Sequence, residues 1–295
     1  MKYPHTKANL ILFLTALIWG LAFVAQRAGM ENIGPFAFNG IRFALGSLSL
    51  LPLLWFRREQ KPTSSKNTLY TGGIISGLFL FAGSSFQQVG MVYTTAGNGG
   101  FITSLYVILV PVLGLFWHHK VKKQAWMGAL LALIGLYLLT SHGKVTLALG
   151  DLLVLVSAFF FAAHVLVIGN YAPRTNILKL SVFQFVMSSV LSMLVSFFVE
   201  STTWENIRLA AVPILYGGIM SVGVAYTLQV FGQRHTPAAH AAIILSFESL
   251  FAAVGGILIL HEPLTIQIAF GGILMLSGAI LSQIEGIRWP VRKQV

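Results

Sequence analysis

The residues from Thr236 to Gly256 (TPAAHAAIILSFESLFAAVGG) form an apolar run that carries one carboxylate, Glu248, near its middle. If this run crosses a bilayer, Glu248 sits near the midplane. A charged side chain there costs roughly 2.5–3.5 kcal/mol on insertion scales, and such residues face a protein interior or a wet cavity. A carboxyl at that depth is suited to carry a proton or to counter the charge of an amine. The plainer alternative is a carboxyl hydrogen-bonded to a neighbouring helix. Read as one continuous helix, the run places Ala241, Ala252 and Gly255 on the face of Glu248, a small-residue face of the kind that packs closely or opens on a cavity.

Arg42 is the cationic counterpart, sharing its helical face with Asn39, Gly46 and Ser49. Its guanidinium can hold a substrate carboxylate or pair with an internal acid. It also falls in the outer third of its segment, where it can snorkel to the headgroups. Trp19 stands alone in mid-segment with Gly20 beside it, as a packing residue between helices or a cavity wall. Gly77, Phe81, Ser84 and Gln88 recur at near-helical spacing as a small-then-polar stripe, and Gln229 and Gln233 make a similar pair. For these glutamines, hydrogen bonding between helices competes with substrate contact. His164 follows Phe160 and Phe161, which suits a packed neutral imidazole, and His118 and His119 beside Lys120 suit an interfacial loop rather than a metal site.

The elements that position these groups follow from composition. Hydrophobic residues make up 56% of the 295 and charged residues only 9%, with a mean hydropathy of +0.80. Soluble domains carry about 25% charged residues, so lipid must cover most of this surface and the expected class is an all-α integral membrane protein. Apolar runs long enough to span the hydrocarbon fall near 8–27, 36–56, 69–90, 96–117, 124–141, 148–170, 177–199, 208–232, 239–260 and 264–284. That makes ten expected transmembrane helices, of which the fifth is the shortest. The first reads as a helix and not as a cleaved signal peptide. Pro52, Pro111 and Pro213 lie inside expected spans. No cysteine is present, so neither a disulfide framework nor a Cys-based metal site exists.

Lys and Arg orient the chain. With the N-terminus inside, fifteen of the nineteen collect on the cytoplasmic side, including Arg57, Arg58, Lys61 and Lys120, whereas Arg27, Lys144 and Arg208 remain outside. Both termini are therefore expected in the cytoplasm, and the excess of +11 reflects topology, with no nucleic-acid partner implied. Trp55, Trp117, Trp126, Trp204 and Trp289 fall at expected span ends, where their rings favour the interface.

A shift of 142 residues lays the residues from Thr94 to Gly114 on those from Thr236 to Gly256, with Thr94 meeting Thr236, Ser104 meeting Ser246 and Gly114 meeting Gly256. In that register Tyr106 takes the place of Glu248 and Asn98 the place of His240, so Tyr106, Asn98 and His240 join the candidates. A second echo pairs GGIIS from Gly72 with GGIMS from Gly217. The unit is five helices, an odd number of crossings, so the second copy enters the membrane inverted. The expected architecture is two inverted five-helix repeats, residues 1–145 and 146–295, around a central cavity.

ALIWGLAFV from Ala16, NGIRFALG from Asn39, SFESLFAAVGGILILHEPLT from Ser246 and GGILMLSG from Gly271 resemble the drug/metabolite transporter superfamily, specifically its EamA-type members. Ser249 and His261 stand where many members have proline and glycine. The resemblance covers essentially the whole chain and implies ten helices in two inverted halves, a central cavity, and export or exchange of small metabolites such as amino acids.

No phosphate-binding Gly-rich loop, HExxH or GxSxG is present, so coupling to ATP hydrolysis on this chain is not expected and no cofactor or metal is implied. The expected function is secondary transport of a small organic metabolite across the cytoplasmic (inner) membrane by alternating access, with protons as a candidate coupling ion. The alternatives are a membrane-embedded lipid-modifying enzyme using Glu248 and His240 as acid and base, and a passive channel.

Overall fold

The computed structural model describes residues 3–56, 65–116, 121–140, 149–260 and 266–283. His118, His119, several loop cations and residues 261–265 of the family-like segment lie outside them. Lipid offers the backbone no hydrogen bonds, so an apolar chain must satisfy its own amides within helices. The described residues accordingly hold helices and no strand. In order they are α1 (Tyr3–Gly29), α2 (Pro35–Phe56), α3 (Lys66–Tyr93), α4 (Ala96–Ser104), α5 (Tyr106–Phe116), α6 (Lys123–Thr140), α7 (Leu149–Tyr171), α8 (Ile177–Val199), α9 (Trp204–Leu209), α10 (Ala211–Leu215), α11 (Thr227–Gln233), α12 (Ala238–Leu245), α13 (Glu248–Leu260) and α14 (Ile266–Gln283). An eleven-residue π-helical stretch, Tyr216–Tyr226, joins α10 to α11.

Eight stretches are long and apolar enough to cross a membrane, including Ala96–Phe116, Ala211–Gln233 and Ala238–Gly255, each of which runs through a local break or π-helical turn. Two shorter apolar helices, Lys123–Leu138 and Ala269–Ser282, stand where the fifth and tenth spans are expected. These two pack along each other so closely that Gly128 and Gly278 each face the other's carbonyl oxygen. Leu48, Leu51, Val190, Leu194, Ile273 and Leu276 are exposed on the outside of the bundle, as side chains against lipid would be.

Helix starts are marked by side chains that accept from amides having no intrahelical partner. Ser65 accepts from the Thr68 N–H, Thr95 from Asn98 and Asn176 from Lys179. The start of α2 is held from another helix. The Glu200 carboxylate, just past α8, accepts from the N–H groups of Phe36 and Ala37 at 2.9 and 2.8 Å and from the Ser196 hydroxyl at 2.9 Å. A carboxylate at a helix N-terminus also meets the positive end of the helix dipole.

Candidate functional site

The site is built where two helices break. The fourth apolar stretch interrupts at Leu105, between α4 and α5, and the ninth at Ser246 and Phe247, between α12 and α13. Neither break unwinds. Both tighten into i→i+3 turns, with the Leu105 N–H donating to Ile102 O at 3.2 Å and the Phe247 N–H to Ile244 O at 3.3 Å. The breaks touch each other: the Ser249 hydroxyl donates to Gly100 O at 2.7 Å, and the Ser104 hydroxyl lies 2.5 Å from Ser249 Oγ. Since Ser249 spends its proton on Gly100, Ser104 donates to Ser249. Its contacts to Glu248 Oε1 and Ser246 O, at 3.3 and 3.4 Å, are longer.

Glu248 is therefore left with no short hydrogen bond on the Ser104 side, although it is only 3% exposed. As the first residue of α13, it follows directly on the tightened turn, where the Phe247, Ser249 and Phe251 amides are already bonded to carbonyls before them. The expected face of Ala241, Glu248, Ala252 and Gly255 does not survive, because the helix stops at Leu245 and restarts at Glu248, which resets its angular phase. The small residues after the break pack on α1. A Cβ at Gly20 would stand 2.7 Å from Glu248 O and 2.9 Å from Ala252 N, so only glycine permits this approach.

Around Glu248 lies a narrow cavity of about 30 Å³. Five of the eight residues singled out from the sequence line it: Trp19, Arg42, Tyr106, Gln229 and Glu248. Arg42 is 2% exposed and does not snorkel. Its Nε donates to Asn39 Oδ1 at 2.9 Å, its guanidinium stacks 5.5 Å from the Phe38 ring and 5.1 Å from the Phe43 ring, and Asn39 is itself anchored to Ser84 O at 3.0 Å. The ring faces and the asparagine replace the water a guanidinium would otherwise need. Arg42 and Glu248 share the cavity without forming an ion pair; the pair seen among the described residues is Arg208 with Glu205, at the surface.

Trp19 donates from Nε1 to Ser221 O at 3.3 Å and packs against Tyr226 with ring centroids 4.6 Å apart and the rings tilted by 60°. Ser221 and Tyr226 belong to the π-helical stretch, whose wider turn changes which carbonyls remain free. Tyr106 lies close enough to Glu248 to interact with it electrostatically, yet its hydroxyl has no properly directed partner. Gln229 Oε1 and Gln26 Oε1, also on the cavity wall, are likewise buried and unpartnered. Buried side-chain atoms without a directed partner also occur away from the cavity, at Ser85, Ser181, Ser192 and Thr227.

The other three candidates lie elsewhere. Gln88 donates from Nε2 to Gln26 O at 3.3 Å, filling the gap between α1 and α3. Its neighbour Gln87 is the one that turns to the cavity, bonding Thr103 Oγ1 at 3.0 Å. Asn98 is exposed at the start of α4. His240 bonds Ser282 Oγ at 2.6 Å through Nδ1 and is not part of the lining, so it does not meet Glu248 as an acid–base pair.

Gln26, Gln87, Thr103, Phe161, Ser221 and Tyr226 are among the other residues of the lining. His164 also lines it, edge-on to Tyr226 and bonded to Gln184 Oε1 at 2.8 Å, in keeping with a packed imidazole. The sequence offered one signal for Tyr226: a hydroxyl-bearing ring in mid-span needs a partner for its polar tip. Here the phenol is within electrostatic reach of both Arg42 and Glu248.

The EamA-like transporter family matches this chain twice, over residues 6–141 and 148–283. An uncharacterized transporter of Archaeoglobus fulgidus is 35% identical over 276 residues, spanning 93% of this chain and 85% of its own. The uncharacterized transporter YoaV of Bacillus subtilis is 26% identical over 284 residues, spanning 94% of this chain and 96% of its own. A protein of known crystal structure, 18% identical, superposes with a TM-score of 0.78 over 95% of this chain and 97% of that one, a likeness of fold alone.

Proposed function

The chain belongs to the EamA-like transporter family, and on that premise we propose that it is a secondary transporter moving a small organic metabolite, an amino acid or related compound, by alternating access in export or exchange. The observation that carries this reading is the unpaired placement of Arg42 and Glu248 on one cavity. Opposite charges buried in a membrane protein ordinarily neutralise each other, because each alone is costly. Kept apart, they suit a ligand bearing both an ammonium and a carboxylate. At about 30 Å³ the cavity is narrower than the roughly 300–1,000 Å³ usual for small-molecule sites, so it must widen to admit a substrate. Trp19, Tyr226 and Phe161 supply apolar wall for a side chain, and Glu248 is the group that would carry a coupling proton.

Two inverted repeats underlie the mechanism proposed. Two features support them: the helix breaks stand 142 residues apart, as do Ser104 and Ser246, and helix contacts exchange in the same register. The contacts of α7 with α4 and α5 have counterparts in those of α1 with α13 and α12, and those of α3 with α7 in that of α1 with the π-helical stretch. Rocking one set of contacts against the other would expose the cavity to either side. The charge asymmetry supports an inner-membrane protein with both termini in the cytoplasm.

Counterflow in proteoliposomes tests the reading. Liposomes preloaded with one unlabelled amino acid at a time should accumulate the labelled compound from outside, with saturation and competition by a close analogue. Flux that grows without saturation at channel rates would overturn it.

A further inference from the structure

Asn39 is held in one orientation by two groups of fixed hydrogen-bonding sense. Arg42 Nε can only donate and the Ser84 carbonyl can only accept, so the 2.9 Å contact from Arg42 falls on Oδ1 and the 3.0 Å contact to Ser84 is made by Nδ2. Both contacts agree with a single placement of the amide. Asn39 is fully buried and is not part of the cavity lining, whereas Arg42 is. What Asn39 does for the cavity it therefore does through Arg42.

A guanidinium offers a carboxylate two kinds of edge on which both oxygens can sit, one made by Nε with an Nη and one made by Nη1 with Nη2. Asn39 occupies Nε and closes the first. Arg42 Nη1 and Nη2 form no hydrogen bond among the described residues and are not among the occluded polar atoms without a partner, so the second edge is the one left for the cavity. An arginine serving only to link helices would bond to a neighbouring helix, yet the hydrogen bond and both ring contacts of Arg42 stay within α2. The second half shows the same place without this device. Helix α8 starts 142 residues after α2, which puts Ser181 at the place of Asn39 and Gln184 at that of Arg42. Ser181 Oγ has no partner and does not hold Gln184, which bonds instead to His164 on α7 at 2.8 Å and is absent from the lining. In α8 the later residue links helices; in α2 Asn39 makes that link, and Arg42 is kept for the cavity.

We infer that Asn39 is the positioning residue for carboxylate recognition in the central cavity: by taking Nε it presents Arg42 end-on, so that a substrate carboxylate is bound by the Nη1–Nη2 edge. The tether also keeps Arg42 from snorkelling, which its place in the outer third of the span would otherwise permit. This assignment rests on the reading of Arg42 as the group that binds the carboxylate of an amino acid. It adds that the preference for an acid over the corresponding amide depends on a residue outside the lining.

Serine is the residue that the second half already carries at this place, so N39S is the first variant to test and N39A the second. Purified full-length protein in detergent is titrated with each standard amino acid and with its α-carboxamide, which keeps the ammonium and the side chain but not the carboxylate. Apparent affinity is read from the rise in Tm. In both variants the acid recognised by the wild type should bind about tenfold more weakly, the size expected for one hydrogen bond to a charged group, and the amide should bind as before. Unchanged amide binding also reports that the variant is folded. Equal weakening of acid and amide would make Asn39 a packing residue and overturn the assignment while leaving the amino-acid reading in place. A wild type stabilised by no amino acid would overturn that reading and the assignment with it. A second readout needs no ligand. In protein labelled with an NMR-active nitrogen isotope in arginine, the Arg42 Nε–H signal, identified by its loss in R42K, should exchange with water about tenfold faster in N39S, as follows from losing its hydrogen bond. Unchanged exchange would overturn the tether.

Discussion

The breaks at Leu105 and at Ser246–Phe247 use one backbone device to present two different side chains. Each tightens into an i→i+3 turn in mid-span and is followed at once by a polar group, Tyr106 in one case and Glu248 in the other. The serines tie the breaks together, Ser249 bonding the carbonyl of Gly100 and Ser104 bonding Ser249. The two breaks are alike in backbone and differ in the side chain that follows them. The phenol can donate a hydrogen bond and the carboxyl can hold charge. The asymmetry extends to the neighbouring helix, where GGIIS from Gly72 lies in regular α-helix and GGIMS from Gly217 lies in the π-helical stretch that brings Ser221 and Tyr226 to the cavity.

The comparison breaks most sharply at its charged member. Glu248→Gln keeps the size and shape of the side chain, turns one acceptor oxygen into an NH2 donor and removes the charge. It should weaken apparent substrate affinity in proteoliposome counterflow about ten- to hundredfold, as expected for losing a charge-assisted contact. It should also abolish any response of flux to an imposed pH gradient. Tyr106→Phe removes one neutral hydroxyl and should cost about two- to tenfold, with the gradient response intact. Equal losses in the two variants would mean that the breaks are functionally equivalent and that the charge plays no special part.

The support beneath Glu248 is the next place to press. Gly20→Ala puts a methyl 2.5 Å from Phe251 Cβ and against the backbone of α13, which has no flexible side chain to yield. A destabilisation of about 1–3 kcal/mol should follow, read as a lowered Tm in detergent. Ser104→Ala removes one of the two serine hydroxyls that link the breaks and leaves the bond from Ser249 to Gly100. It should cost about 1 kcal/mol, within the modest range measured for hydrogen bonds between transmembrane helices. A larger effect of Ser104→Ala than of Gly20→Ala would show that the serine link, and not the close approach of α1, holds the site together.

Much of this arrangement is legible in the sequence, because lipid makes a few groups expensive. Glu248, Arg42 and Trp19 stand out in apolar runs, and the structure places all three on one cavity. Angular phase is what the sequence does not carry. Gln87 and Gln88 are adjacent on α3 and about 100° apart around it, and only the packing of α3 decides that Gln87 meets the cavity while Gln88 bonds to α1. The breaks are equally hidden. Leu105 and Phe247 are ordinary apolar residues with no proline or glycine beside them, so the tightening comes from contacts between the two helices. Tyr226 was missed for a related reason, since its position depends on the extra width of a π-helical turn that no local residue signals.

The smallest effect tests the symmetry itself. Gly97 lies in the first turns of α4, and a Cβ built there meets nothing within 4 Å. Its counterpart in the 142-residue register is Ala239, at the same point of α12. If the two helices are copies of one design, the first half should accept the residue the second already uses. Gly97→Ala should then leave counterflow unchanged and raise Tm slightly, since alanine in a helix is favoured over glycine by up to about 1 kcal/mol. A fall in Tm or flux would show that Gly97 is required for flexibility near the α4 break. In that case the two breaks would differ in how they move as well as in what they hold, and the asymmetry would reside in the backbone as much as in Tyr106 and Glu248.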